Sequence, residues 1–415
     1  MTGTSAERIA ELHLAGMRSI EEVSLVLDGL TVLIGPNGSG KSTILEAFEL
    51  LRLLGKDQLD PELDKSHGGL SSLRRRGSRS MSLSVRVEGS GRPLLYDLEL
   101  GGGYGVEVVS EGLRRQSQSG WDPLLVRTGP STAEYRRGGG EKNVEPIRNL
   151  TPQRLALHAF GFNEQPLDVA RVVTALTKLE VHVPFDVHPA WTQKGPNSTA
   201  LRRSNVLRPT RKLERFGENL ANAWHALKND FSEEHWRETM RAVRAGLGPE
   251  INSVATQADP GGGQIAIKLR YQDGSEDPAF TLSDGTLAYL AFVALSRLAE
   301  LPEGRTSLLA FDEPELHLHP ELLVRVVGFF EEMARTQPVV LATHSDRLLD
   351  VLSNPADSVV LCELDEERRT VLSRPNRARL EEWLERFRGV GALRAEGLEA
   401  ALFEPEEDAG TDEAT

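Results

Sequence analysis

Hydrophobic and polar residues alternate at the start of the chain, which predicts β-strands on either side of a glycine-rich turn. Ile9 to Leu14 and Val23 to Leu27 alternate as half-buried strands do. Leu30 to Ile34 is a continuous apolar run, typical of a strand that is covered on both faces. Apolar residues then recur at helical spacing from Ser42 to Leu54. A strand, a glycine-rich loop and a helix are therefore expected in direct succession.

The middle of the chain predicts an antiparallel meander followed by helices. Three more alternating runs are separated by glycine-rich turns: Met81 to Val87, Leu94 to Leu100 and Tyr104 to Val109. From Ser110 to Leu150 the chain is rich in Gly, Arg and Ser, and its structural signal is weak. Helical patterns follow at Pro152 to Lys178, Leu213 to Lys228 and Ser232 to Ala245. Ser232 is expected to cap the last of these helices.

The last third of the chain alternates strands with helices. Two strands are predicted at Ile251 to Thr256 and Gln264 to Tyr271. The chain then runs helix, strand, helix, strand, at Ser283 to Ala299, Ser307 to Phe311, Pro320 to Arg335 and Pro338 to Ala342. That alternation predicts parallel strands joined by crossover helices.

The glycine-rich turn fits the phosphate-binding pattern GxxxxGK[ST] in full. It reads Gly35-Pro36-Asn37-Gly38-Ser39-Gly40-Lys41-Ser42, with Thr43 next. Glycines allow positive φ and let backbone N–H groups turn toward phosphates. Lys41 supplies a charge for the β- and γ-phosphates, Ser42 a hydroxyl for Mg²⁺, and the helix N-terminus a partial positive charge. Residues 35–43 are therefore predicted to bind ATP with Mg²⁺.

A second motif follows the apolar run 308–311. Asp312 ends that predicted strand and is expected to support Mg²⁺ through Ser42 or through water. Glu313, one residue further, is predicted to be the general base or to orient the attacking water. An acidic pair after a strand is often only a helix cap, but the complete phosphate loop favours the catalytic interpretation.

Two further motifs complete a family resemblance. Leu282-Ser283-Asp284-Gly285-Thr286 resembles the ABC signature, normally LSGGQ, and Ala342-Thr343-His344-Ser345 resembles the segment that carries the switch histidine. With the run from Asp312 to Pro320, the chain resembles stand-alone bacterial ABC-class ATPases of the RecF/OLD/SMC branch, without coiled-coil arms or a nuclease domain. The resemblance covers about residues 8–110 and 250–400.

This resemblance implies an α/β fold: a P-loop NTPase with an ABC-ATPase-type head. Such a head has a mixed sheet flanked by helices, an antiparallel β subdomain and, in this chain, a mostly helical insertion. The predicted units are an N-terminal lobe (1–110), a partly helical insertion (111–249), a C-terminal lobe (250–400) and an acidic disordered tail (401–415).

The resemblance also implies roles for residues outside the phosphate loop. Ser283 and Gly285 would meet the γ-phosphate bound to a second copy, which gives a head-to-tail homodimer around ATP. Ser283 can cap the following helix, and a capped N-terminus is itself an anion site, although an ordinary cap is the alternative. His344 would contact the γ-phosphate or hold the attacking water. His317 and His319 are assigned to a subunit-contact loop rather than to a metal.

Composition narrows the class of protein. The net charge of −14 disfavours broad nonspecific binding to nucleic acid. The stretch from Lys194 to Arg215 is nevertheless basic, and either phosphate contacts or ion pairs with acids elsewhere would account for it. One cysteine, Cys362, and the absence of a secretory or membrane-spanning pattern predict a cytoplasmic protein that does not bind membranes.

Three functions compete on this basis. The first is a dimerising ATPase that acts as a conformational switch for an operon-encoded effector protein or for nucleic acid, in DNA repair or anti-phage defence. The second is an OLD-like ATPase coupled to a nuclease, for which the stretch after His344 is expected to be too short. The third is an ABC transporter subunit, which the diverged signature and the missing Q-loop glutamine disfavour.

Overall fold

Three β-sheets with helices packed on them make up the part of the chain that the computed structural model describes. That part comprises residues 6–58, 63, 65, 67–102, 105–137, 143–160, 164–188, 200–258 and 263–376. The predicted acidic tail (401–415) and Lys194 lie outside the described residues.

The strands and helices follow the chain in a simple order. The strands are β1 (Arg8–Met17), β2 (Ile20–Val26), β3 (Leu30–Ile34), β4 (Met81–Glu88), β5 (Leu94–Gly101), β6 (Glu107–Ser117), β7 (Gly120–Gly129), β8 (Thr132–Arg136), β9 (Val144–Ile147), β10 (Leu179–His182), β11 (Asn205–Val206), β12 (Ile251–Ala258), β13 (Gln264–Tyr271), β14 (Glu276–Pro278), β15 (Leu308–Asp312), β16 (Val339–Thr343), β17 (Val359–Leu364) and β18 (Thr370–Ser373). The helices are α1 (Lys41–Gly55), α2 (Leu70–Leu73), α3 (Leu167–Thr177), α4 (Leu220–Asn229), α5 (Glu233–Leu247), α6 (Asp284–Ala299), α7 (Pro320–Met333), α8 (Asp346–Asp350) and α9 (Pro355–Ser358).

The largest sheet is the predicted antiparallel meander, in the order β2-β1-β4-β5-β6-β7-β8-β9. In β4 and β5 buried and half-buried residues alternate along most of the strand. This is the period-two pattern of a sheet with one face on the core. The sheet shares one hydrophobic cluster with α1.

The predicted insertion from 111 to 249 requires a correction in its first part. Residue 110 lies inside β6, and β6 to β9 extend the meander instead of forming helices. The register shifts between Glu99 and Leu100, and again between Leu113 and Arg114. Such bulges interrupt strict alternation, so the sequence pattern of these strands is weak. Farther along, β10 joins the central sheet, and only the remainder of the insertion is largely helical.

The central sheet has the order β10-β15-β16-β3-β17-β18. Its first five strands are parallel, and β18 runs antiparallel to β17. All five residues of β3 are buried, as the continuous apolar run predicted. Leu33 and Ala310 face α1, whereas Val32 and Phe311 face α6 and α7, in separate hydrophobic clusters. Because β15, β16 and β3 run parallel, their carboxyl ends lie at the same edge of the sheet.

Helices α4 to α9 lie on the second face of the central sheet and on the small sheet β11-β13-β12, to which β14 is paired, whereas α2 and α3 share the hydrophobic cluster of α1. α5 begins where predicted, and the Ser232 hydroxyl accepts a hydrogen bond from the His235 N–H at 3.2 Å. α6 is buried over most of its length, beside α4, α5 and α7. Within the described ranges, no helix has the length and apolar character needed to cross a membrane.

Glu111 of β6 is expected to be a major determinant of stability. Its buried carboxylate accepts hydrogen bonds from the N–H groups of Ala156 (2.6 Å) and Leu157 (2.9 Å) and lies 3.7 Å from the buried Arg127 guanidinium. Glu111→Ala leaves these donors without the carboxylate, so we expect unfolding to be easier by about 3–5 kcal/mol. Urea denaturation of the two proteins measures the difference.

The matched control is Glu107→Ala, because Glu107 lies on the same strand and is exposed. Its free energy of unfolding should change by less than about 0.5 kcal/mol. Equal effects of the two substitutions would contradict the assignment of a buried network at Glu111.

Candidate functional site

The phosphate loop connects β3 directly to α1 and contains conformations that glycine permits. Gly38 and Gly40 have φ angles of 81° and 105°, in the left-handed region that other residues rarely adopt. A Cβ atom on Gly35 would lie 1.9 Å from the carbonyl oxygen of Cys362 on β17. The backbone of β17 therefore closes on the loop, and Gly35 leaves room for it.

Lys41 and its neighbours make this loop suited to an anion. The Lys41 ammonium group donates hydrogen bonds to the carbonyl oxygens of Gly35 (2.7 Å) and Pro36 (3.1 Å). The Ser39 hydroxyl is buried and has no hydrogen-bond partner among the described residues. Pro36, Asn37 and Gly38 are exposed at the tip of the loop, and Thr43 is buried in α1. A cation, a helix N-terminus and a buried unpaired hydroxyl thus lie within one short segment.

Ser42 and Asp312 line the same cavity, of about 270 Å³, beside the phosphate loop. Asp312 ends β15, which lies two strands from β3 in the central sheet. Burial raises the pKa of the Asp312 carboxyl, while the positive charges of Lys41 and His344 lower it. A hydroxyl and a carboxylate on one cavity are ligands that Mg²⁺ accepts, together with water and phosphate oxygens. The residues present therefore fit the predicted Mg-ATP.

Glu313 leaves β15 in an uncommon backbone conformation. Its φ is 46°, and its N–H donates to the carbonyl oxygen of Ala342 at 2.8 Å. Positive φ at a residue other than glycine is found where the surrounding structure imposes it, often at functional sites. The neighbouring strand β16 therefore holds the turn that presents the Glu313 side chain.

His344 contacts both the phosphate loop and Glu313, so three segments that are far apart in the sequence meet at this residue. It follows β16, and its Nε2 atom lies 3.2 Å from Oε1 of Glu313. Its Nδ1 atom lies 3.0 Å from the Gly35 carbonyl oxygen and 3.3 Å from Nζ of Lys41. The predicted switch histidine thus contacts both the predicted general base Glu313 and the phosphate-loop Lys41, although about 300 residues separate Lys41 from His344.

The electrostatic environment of Glu313 raises its pKa to about 8. Burial is the largest cause, followed by the charge of Glu315, a hydrogen bond to Glu315 and the charge of Asp312, while Lys41 acts in the opposite direction. Glu315 itself accepts a hydrogen bond from the Thr343 hydroxyl. Glu315 has no role in the motifs recognised from the sequence. The third carboxylate of the run Asp312-Glu313-Pro314-Glu315 was the available signal.

The signature segment has the predicted helix cap. Ser283 precedes α6, and its hydroxyl accepts a hydrogen bond from the Thr286 N–H at 3.1 Å. A Cβ atom on Gly285 would lie 3.0 Å from the carbonyl oxygen of His317. The signature therefore packs closely against the loop that follows Glu313.

The predicted basic stretch is extensively paired with acids, in agreement with the second of its two interpretations. Arg211 lies 2.7 Å from Asp230, and Lys212 lies 2.5 Å from Glu180. Arg208 pairs with Glu214. Arg202 is nearly buried, with 6% of its side chain exposed, and pairs with Asp284 of the signature. Arg202 is therefore unavailable to a nucleic acid, so the alternative interpretation, phosphate contacts, does not apply to this residue.

Comparisons with known proteins show the family to which the chain belongs. The family model described as "AAA domain, putative AbiEii toxin, Type IV TA system" matches residues 30–139 and 174–350, more than half of the chain. The DNA replication and repair protein RecF of Streptomyces avermitilis is 32% identical over 305 residues, which cover 72% of this chain and 71% of that protein. RecF of Synechococcus sp. (strain JA-3-3Ab) is 27% identical over 262 residues.

Coverage of the relatives is partial. The match to the Synechococcus protein takes in 60% of this chain and 62% of that relative. The OLD nuclease of Thermus scotoductus is 20% identical over 368 residues, which are 88% of this chain and 64% of the nuclease. A crystal structure of an SMC head bound to the C-terminal winged-helix domain of ScpA superimposes with a TM-score of 0.51 at 14% identity. It covers 90% of this chain and 99% of that one, and shows the fold alone.

The family model, the RecF relatives and the fold point to the same class of protein. The protein belongs to the family of that AAA-domain model, within the ABC-class ATPases of the RecF/OLD/SMC branch.

Proposed function

We propose that the chain binds Mg-ATP at residues 35–43 and hydrolyses it to ADP and phosphate. The observation that carries this proposal is the contact of His344 with Glu313, Lys41 and Gly35, at 3.2, 3.3 and 3.0 Å. Phosphoryl transfer needs a phosphate-binding cation, a group that orients or deprotonates water, and a sensor of the terminal phosphate in one place. Contacts among these three segments supply that arrangement.

Each residue has a distinct role in the proposed reaction. Lys41 and the loop N–H groups hold the β- and γ-phosphates, and Ser42 and Asp312 would hold Mg²⁺, which supplies positive charge for the phosphate oxygens when bound. Glu313 accepts a proton from water as the water oxygen bonds to the γ-phosphorus and the bond from that phosphorus to the β-γ bridging oxygen breaks. His344 orients Glu313 and the water.

A second copy of the chain completes the site in this proposal. The helix N-terminus behind Ser283 is an anion site, and the Ser283 hydroxyl stays within its own cap, bonded to Thr286. We therefore propose that the N-terminus of α6, with Ser283, contacts the γ-phosphate of ATP bound to the partner copy. ATP would then act as a switch between separate and paired copies.

The downstream partner is proposed from chemistry and relatives. The RecF relatives are named for DNA replication and repair. We accordingly propose a cytoplasmic switch that acts on DNA or on an operon-encoded effector protein, in DNA repair or anti-phage defence. An OLD-like nuclease is the alternative. Among the described residues no group of three or more His, Cys, Asp or Glu side chains could hold a metal ion, so nothing there favours it.

Phosphate release from Mg-ATP by the purified protein tests the proposed reaction. We expect turnover that requires Mg²⁺ and stops when EDTA is added. A homogeneous protein that binds ATP but releases no phosphate, at any protein concentration, would contradict hydrolysis while leaving nucleotide binding intact.

The pH dependence of hydrolysis is expected to report Glu313. Its carboxyl has a pKa of about 8, so it is protonated at lower pH and cannot accept a proton there. The value of kcat/KM, which reports the free enzyme, should therefore rise as the pH increases through that range. Glu315→Gln removes a negative neighbour, favours the ionised form of Glu313 and should shift the profile to lower pH. A profile that the substitution does not move would contradict the coupling.

A further inference from the structure

We propose that Arg202 is the built-in counter-charge of the signature: it neutralises Asp284 and fixes the backbone beside Ser283, so that an acidic signature can receive a phosphate from a second copy. The inference rests on the proposed ATP-bound dimer. It deepens that proposal by naming a positioning residue that allows a signature containing Asp284 to bind phosphate.

The chemical problem lies in the signature itself. Where the usual signature has glycine, this chain has Asp284, the first residue of α6. A carboxylate there stabilises its own helix through the helix dipole. The same carboxylate repels the negatively charged γ-phosphate that Ser283 and the helix N-terminus are proposed to bind. An uncompensated Asp284 would therefore oppose closure of the dimer.

The Arg202 guanidinium addresses the charge and the backbone together. Its Nη2 atom donates to the Asp284 carboxylate. Its Nε atom donates to the carbonyl oxygen of Val187, at 2.8 Å. Its Nη1 atom donates to three carbonyl oxygens just before Ser283: those of Ala279 (3.3 Å), Phe280 (3.2 Å) and Leu282 (2.7 Å). The contacts therefore hold the segment on both sides of Ser283.

The two partners of this ion pair differ in burial: Arg202 is nearly buried, and Asp284 is partly exposed to solvent. Only 6% of the Arg202 side chain is exposed, whereas 37% of the Asp284 side chain is. A charge shielded from water interacts more strongly with its neighbour. Arg202 therefore contacts the signature from its buried side. Ser283, which caps α6, and Asp284, its first residue, stay accessible to another molecule.

The planar guanidinium makes arginine suited to this position. It carries five donors in a fixed fork and stays charged at any physiological pH, whereas lysine offers a single ammonium. Arg202 uses Nε and both Nη atoms for five acceptors in two segments. A residue that only filled space would need neither the charge nor the fork.

The test compares charge with packing in a protein that already carries Glu313→Gln, so that hydrolysis does not consume the ATP. Arg202→Gln removes the charge, Arg202→Lys keeps it, and Asp284→Asn removes the need for it. Light scattering with Mg-ATP measures dimer formation, and binding of a fluorescent ATP analogue measures nucleotide affinity. Arg203→Gln, at the exposed neighbouring position, is the matched control.

We expect Arg202→Gln to weaken ATP-dependent dimerisation by about tenfold or more, the equivalent of a lost charged hydrogen bond. Affinity of the nucleotide should be unchanged. Arg202→Lys should dimerise better than Arg202→Gln, and adding Asp284→Asn to Arg202→Gln should recover most of the loss. The control should match the parent.

Three results would overturn the inference. The first is that Arg202→Gln dimerises like the parent. The second is that Arg202→Lys is as impaired as Arg202→Gln, and the third is that Asp284→Asn brings no recovery. Either of the last two would mean that Arg202 contributes only packing. A parent that never dimerises with ATP would instead remove the proposed dimer, and the inference with it. Thermal unfolding of each variant separates loss of folding from loss of association.

Discussion

Lys41→Ala is expected to remove ATP binding from this protein. The Lys41 ammonium is the side-chain cation of the phosphate loop and lies beside the carbonyl oxygens of Gly35 and Pro36. A hydrogen bond between charged groups contributes about 1.5–3 kcal/mol. Losing a lysine that reaches two phosphates should therefore weaken binding by at least ~100-fold. Titration of a fluorescent ATP analogue measures the change.

Lys56→Ala is the matched control for that experiment. Lys56 is exposed and caps the opposite end of α1, away from the phosphate loop. Its replacement removes the same charge from the same helix and should leave affinity for ATP unchanged. Unchanged affinity in Lys41→Ala, with the fold intact by circular dichroism, would mean that the nucleotide binds elsewhere.

Glu313→Gln is expected to trap an ATP-bound dimer. Glutamine keeps the shape of the side chain and its hydrogen-bonding capacity but does not accept a proton, so hydrolysis should slow by about 10²–10⁴-fold. Binding should survive, since Lys41, Ser42 and Asp312 are unchanged. Light scattering with Mg-ATP should show a stable dimer in which the wild-type protein dimerises only transiently.

Ser283→Arg in the same protein tests the face on which the copies are proposed to meet. The larger, differently shaped side chain should prevent closure while the residues of the phosphate loop stay unchanged, so the double variant should bind ATP and stay monomeric. Normal hydrolysis by Glu313→Gln would remove the catalytic role of Glu313. A molecular mass that never responds to ATP would remove the nucleotide-gated dimer and leave the phosphate-loop assignment.

The sequence predicted best the elements whose signals are local. β13 occupies the predicted residues 264–271, and α6 begins one residue after the predicted start and ends at Ala299. The caps at Ser232 and Ser283 form as expected. Each depends on residues within a few positions of one another: side-chain periodicity, or a hydroxyl three residues before an N–H group.

The antiparallel sheet shows where such local signals fail. β7 and β8 lie in a Gly- and Arg-rich stretch without a clear pattern, yet they pair with β6 and β9. Pairing depends on partner strands and on one covered face, and bulges interrupt the alternation that reveals a strand in the sequence. Context outside the segment therefore decided its structure.

The sequence by itself determined the motifs of this protein: a complete phosphate loop, the pair Asp312-Glu313, a diverged signature and His344, in the order of an ABC-class ATPase. The tertiary structure decided how these groups act on one another. It placed His344 between Glu313 and Lys41, raised the pKa of Glu313 and buried Arg202 against Asp284. Charge effects and burial depend on distance in space, which residue spacing along the chain does not specify.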